Sequence, residues 1–133
     1  MLMNEAMVRA ARVAHEVHRA YCRGLGDATV PPWDETPPAA RAGKVDGVGL
    51  VLAGAGAETC HARWVEAMQG QGWTYAGVKD LAFKTHPNLV PWAALPEEER
   101  VKDRLFVVVA RGVLSWCGFR PPLAPAPTPE VGP

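Results

Sequence analysis

Apolar residues recur at three- and four-residue steps from Met3 to Tyr21 (Met3, Ala6, Met7, Ala10, Ala14, Val17, Tyr21), and Arg9, Arg12, Glu16, Arg19 and Arg23 fall opposite. That period predicts an amphipathic helix over 3–23, stopped by Gly24 and Gly26. The next stretch, 28–44, holds Pro31-Pro32-Trp33 and Pro37-Pro38. Prolines fix φ and withhold a donor, so it is predicted to be irregular, with Trp33 pinning it to the body. Val45 to Leu52 reads as a strand weakened by Gly47 and Gly49, and 53–57 as a loop. A second helix is predicted from a cap at Thr59 to about Gln69, carrying His61, Trp64, Val65 and Met68. Residues 73–95 are aromatic-rich without a long period and read as an ordered loop with short strand pieces. A third helix begins at Pro96, where Glu97, Glu98 and Glu99 oppose the positive end of the dipole. Val101, Leu105, Val108, Val109 and Trp116 are predicted to be its inward face. Six prolines in the fourteen residues from Arg120 predict a tail that does not pack. The expected class is α+β, mainly α, with three principal helices, a small β element and long ordered loops. One domain is expected over 1–119, with a Pro-rich disordered tail over 120–133.

Composition narrows the function. The chain has 133 residues, fourteen basic and fourteen acidic, and 48% hydrophobic positions including five tryptophans. That suits one packed domain. A neutral chain lacks the basic stripe that displaces counterions, so no nucleic-acid partner is expected. No run approaches the ~18–20 apolar residues of a membrane span, so no membrane partner is expected either. Cys22, Cys60 and Cys117 are odd in number and form no CxxC pair, which predicts a reducing, cytoplasmic setting.

The string Gly72-Trp73-Thr74-Tyr75-Ala76-Gly77-Val78-Lys79-Asp80, followed by Lys84-Thr85-His86-Pro87-Asn88-Leu89-Val90-Pro91-Trp92, resembles the RyR domain, the repeat named for ryanodine receptors and found alone in bacteria and phages. The flanks agree, with His61-x-x-Trp64 before it and Leu95-Pro96, Arg100 and Asp103 after it. Upstream, Ala11 to Cys22 with Gly26-Asp27 and Pro32-Trp33 is similar to the family's N-terminal half, so the likeness covers roughly 8–112. Ala76 stands where the family usually has Gly, and Trp92 where it usually has Tyr. The resemblance implies a mainly helical unit with a small β element. It also implies self-association as a homodimer, since the receptor units come in two-fold-related pairs, and sensing of nucleotide-derived signals.

Two readings of the Trp73–Trp92 loop stand side by side. Aromatic faces stack on bases and Lys binds phosphate as a point charge, so Tyr75, Lys79 and Lys84 suit a flat anionic ligand. The same Gly-Trp and proline pattern also anchors a loop without regular hydrogen bonds, and Trp73 is read as core. On the first helix His15 and Arg19 are four residues apart and able to serve one anion together. The expected lining is therefore His15, Arg19, Trp33, Tyr75, Lys79 and Lys84 around a nucleotide-derived anion such as an ADP-ribose derivative. The alternative is a structural or dimerisation module with no small ligand. His15, His18 and Cys22 share a flank, but no CxxC or HExxH pattern anchors a zinc, and neither metal nor cofactor is expected. No nucleophile is singled out with a base, and no phosphate loop follows Ala53 to Ala57, so a non-enzymatic protein is expected.

Overall fold

The computed structural model describes residues 1–122. An alanine stripe decides how they pack. Helix α1 runs Met3–Gly24, and its Ala6, Ala10, Ala11 and Ala14 are all buried. Side chains this small let a partner helix approach closely. The partner is α4, Glu97–Trp116, which contributes the fully buried Ala110 and Leu114. Tyr21 pins the other end of the pair by donating its hydroxyl to the Glu98 carbonyl at 3.3 Å.

The predicted strand at 45–52 is a helix instead. Helix α2 runs Pro38–Leu52, so the predicted irregular stretch also ends seven residues early. Pro38 suits a first helical turn, where its missing donor would be unpaired anyway. Gly47 and Gly49 mark close approach: a Cβ on Gly47 would stand 3.1 Å from the Phe106 ring, and one on Gly49 3.3 Å from Met7 Cε. Val48 and Val51 are buried between α1 and α4, in one cluster with Ala110, Leu114 and Trp33. Trp33 lies in a short 3₁₀ turn, Trp33–Glu35, that covers the outer side of this cluster.

Helix α3, Ala57–Gly70, starts after Gly56 rather than at Thr59. The β element is two short parallel strands, β1 (Thr74–Tyr75) and β2 (Thr85–His86), paired Thr74 to Thr85 and Tyr75 to His86. A second 3₁₀ turn, Trp92–Ala94, leads into α4. On α4 the inward stripe is Phe106, Ala110 and Leu114, one residue every turn. Val108 and Trp116, predicted inward, are 66% and 87% exposed. The Val107-Val108-Val109-Ala110 run admits several helical phases, and close packing against α1 selects the one that puts Ala110 in the seam.

Residues 120–122 pack although they open the predicted tail: Pro121 is buried, and the Arg111 guanidinium donates to the Pro122 and Pro121 carbonyls at 2.6 and 3.1 Å. The rest of the predicted tail, 123–133, lies outside the described residues. No described helix is long and apolar enough to cross a membrane.

Candidate functional site

The six expected lining residues fall into two groups. His15, Arg19 and Trp33 meet where the 31–36 segment lies on α1. His15 is buried, and its Nε2 donates to the Pro31 carbonyl at 2.7 Å, with Thr36 Oγ1 at 3.4 Å. Its ring meets Trp33 edge-on, 5.7 Å between centroids. Glu16 joins the other two: one carboxylate oxygen accepts from the Trp33 backbone N–H at 2.9 Å and the other from Arg19 at 3.3 Å. The Trp33 N–H, more than Arg19, holds that carboxyl below its usual range. The Trp33 side chain and the Nε2 of His15 are thus engaged with the protein, and they fasten the segment.

Tyr75 ends β1, Lys79 and Lys84 stand on the loop between β1 and β2, and no hydrogen bond or ion pair among the described residues joins the two groups. Asp80 braces this loop, accepting from the Ala82 and Phe83 N–H groups at 2.9 and 3.1 Å and exchanging backbone bonds with Thr85. Lys84 adopts φ 52° and donates its Nζ to the Gln71 carbonyl at 3.0 Å, at the negative end of α3. Lys84 is therefore a tether. Tyr75, 62% exposed, and Lys79, without a partner among the described residues, stay open to solvent.

The aromatic residues behind the loop anchor it. His86 packs edge-on against Trp64 and Trp73, with centroids 5.0 and 6.4 Å away, and His61 touches Trp64 and Trp92. Arg104 covers the Trp92 ring at 5.7 Å. His61 is buried and donates its Nε2 proton to the Val90 carbonyl at 2.8 Å, while its Nδ1 lies 3.8 Å from Asp103. Burial pushes the Asp103 carboxyl up to about 6, against the opposing pull of His61.

Of a second polar cluster, only the His18 and Cys22 flank of α1 was read from the sequence. His18 and Cys22, one turn apart on α1, touch at 3.7 Å between Nε2 and Sγ. Lys102 of α4 is bound to Glu99 at 2.9 Å, and Asn88 donates to the same carboxylate at 3.0 Å. Lys44 of α2 is half-buried and has neither ion pair nor hydrogen bond among the described residues. Burial, then Lys44 and Lys102, drive His18 down to about 4. Burial first, and then Lys79 among the nearby charges, lowers His86. The readable signal was Lys44 at the step before Val48 and Val51 on one helical stripe, visible only once 38–52 is known to be helix. Two surface recesses lie elsewhere: one of about 440 Å³ on the outer face of α1 around Val8, and one of about 390 Å³ between α3 and Leu89–Trp92.

Compared with known families, the chain matches the model of the RyR domain over residues 51–119, which takes in α3, both strands and all of α4. His15, Arg19, Trp33, His18 and Lys44 lie before the matched span.

Proposed function

Because the chain belongs to the RyR domain family, we propose that it is a non-enzymatic binding module, a cytoplasmic sensor of a nucleotide-derived anion such as an ADP-ribose derivative. One observation carries this reading: Lys79, four residues after the exposed Tyr75, and the half-buried Lys44 have no ion pair among the described residues. A fold stabilised by its charges alone would pair Lys44, since a desolvated cation without a counter-ion costs stability. Tyr75 offers the flat face on which a base stacks, and the lysines take the phosphate. The three free thiols are at home in a reducing compartment.

A thermal-shift screen with ADP-ribose, cyclic ADP-ribose, ATP and cyclic nucleotides tests this. A ligand at a hundred times its Kd stabilises the folded state by about 2.7 kcal/mol, a shift of several degrees. The double variant Tyr75→Ala, Lys79→Ala should melt like the parent without ligand, because both side chains are exposed, and lose the shift. No response to any of these compounds at millimolar concentration refutes the proposal.

A second reading has its own observation. Val78, Leu81 and Phe83 on the same loop are 74%, 75% and 80% exposed, an apolar tip that suits a protein contact such as homodimerisation. Sedimentation at high concentration would show a dimer that Phe83→Ser dissociates; a monomer throughout removes this reading.

A further inference from the structure

We propose that the loop between β1 and β2 is a membrane-surface contact: Val78, Leu81 and Phe83 enter the headgroup layer of an anionic bilayer, with Tyr75, Lys79 and Lys84 at the interface. The partner is a lipid surface, which goes beyond the soluble ligand above and needs no nucleotide.

The loop turns its apolar side chains outward and much of its polar backbone inward. Val78, Leu81 and Phe83 are each at least 74% exposed. Beneath them Thr85 donates its Oγ1 proton to the Val78 carbonyl at 2.9 Å, and Thr85 and Asp80 exchange two backbone bonds, both at 3.0 Å. One oxygen of the Asp80 carboxylate takes the Ala82 and Phe83 N–H groups, and the Lys84 carbonyl accepts from Thr74 N–H at 2.9 Å. A surface loop in water has no need of this arrangement, because solvent satisfies its backbone and favours polar side chains. Leaving water is the step that penalises an unpaired backbone group, and these groups are paired before the step is taken.

Shape and area favour a lipid surface over a protein partner. Neither of the recesses described above lies at this tip. Three side chains fall well short of the ~800 Å² per partner that a stable protein interface takes. A bilayer sets no such minimum, since affinity grows with each apolar group buried and each cation brought to anionic headgroups. The charges match that surface. From 75 to 85 the ionised side chains are Lys79, Lys84 and Asp80. Lys79 has no ion pair among the described residues, Lys84 is held by a neutral carbonyl, and Asp80 is turned onto backbone N–H groups. Tyr75, 62% exposed, has the apolar body and polar tip of side chains that sit at headgroup level. No described helix is long and apolar enough to cross a bilayer, and a loop that lies in its surface needs none.

The test is flotation of the full chain with vesicles of roughly two parts phosphatidylcholine to one part phosphatidylserine, against phosphatidylcholine alone. The chain should float with the anionic vesicles and less with the neutral ones. Leu81→Ser combined with Phe83→Ser should melt like the parent, because both side chains are exposed, and lose at least about tenfold in vesicle affinity. Lys79→Ala should lose about fivefold on the anionic vesicles. Phe83→Trp, which keeps an aromatic ring suited to the interface, should bind at least as tightly as the parent. No flotation of the parent with anionic vesicles overturns the proposal, and so does full affinity in the Leu81, Phe83 double variant. A dimer in solution that this double variant dissociates, with no vesicle binding, assigns the tip to a second copy and overturns it too. Every arm omits nucleotide, so its outcome stands apart from the thermal-shift screen.

Discussion

Asp103 and His18 should pull the pH dependence of stability in opposite directions, and replacing one of them should expose the other. The Asp103 carboxyl is raised from 3.8 to about 6, chiefly by burial. Its contribution to stability is complete below the unfolded value and is lost as pH rises through about 6. A shift of about two units corresponds to about 3 kcal/mol, and solvent contact of a side chain 31% exposed reduces that to about 2 kcal/mol. His18 is lowered from 6.5 to about 4, so its contribution is present above the unfolded value and lost as pH falls through about 4. Its size is similar, so the parent curve should be shallow between pH 4 and 6.5. Asp103→Asn keeps the shape and removes the charge. Urea unfolding should find this variant equal to the parent near pH 4 and more stable by about 2 kcal/mol at pH 8, with a curve that now rises with pH. If Asp103→Asn is instead less stable than the parent at pH 8, the attraction between Asp103 and His61 at 3.8 Å outweighs the cost of burying the carboxylate, and the reasoning fails.

Two further outcomes are expected. Trp33→Ala should destabilise by about 3–5 kcal/mol in urea titration, as removal of a large buried ring does, because Trp33 is 5% exposed in the central cluster; a cost below about 1 kcal/mol would return it to the ligand lining. The glycines of α2 and α4 should respond differently in the same titration: Gly112→Ala, with open space around its Cβ, should stabilise by about 1 kcal/mol, whereas Gly47→Leu should destabilise by forcing the Phe106 ring aside.

The legible parts of this fold were those where one physical cue acted alone. The Ala6, Ala10, Ala14 stripe has the helical period over about two turns, and α1 lies within a residue of its predicted bounds. Glu97 to Glu99 after Pro96 place the start of α4 in the same way. At 45–52 two cues compete: alternating valines and leucines between glycines have strand character, and the same glycines are what close helix packing requires. Only the tertiary contacts with Phe106 and Met7 decide between them. That one exchange hid Lys44, whose place on a buried stripe exists only in a helix. Sequence alone set His15 beside Arg19 on one helix and had Trp33 pinning the Pro-rich stretch to the body. Their partners, the Pro31 carbonyl and Glu16, become visible only when the 31–36 segment folds back onto α1.

Lys84 holds a left-handed backbone and reaches back thirteen residues to Gln71. In polymer terms it closes a loop, and the entropy of closing a chain of that length is lost at folding, before any ligand arrives. A molecule that meets Tyr75 and Lys79 therefore encounters a surface already ordered, and binding does not have to immobilise the backbone between them. For a ligand of the kind proposed above, association at a closed loop would be limited by encounter rather than by waiting for a rare conformer.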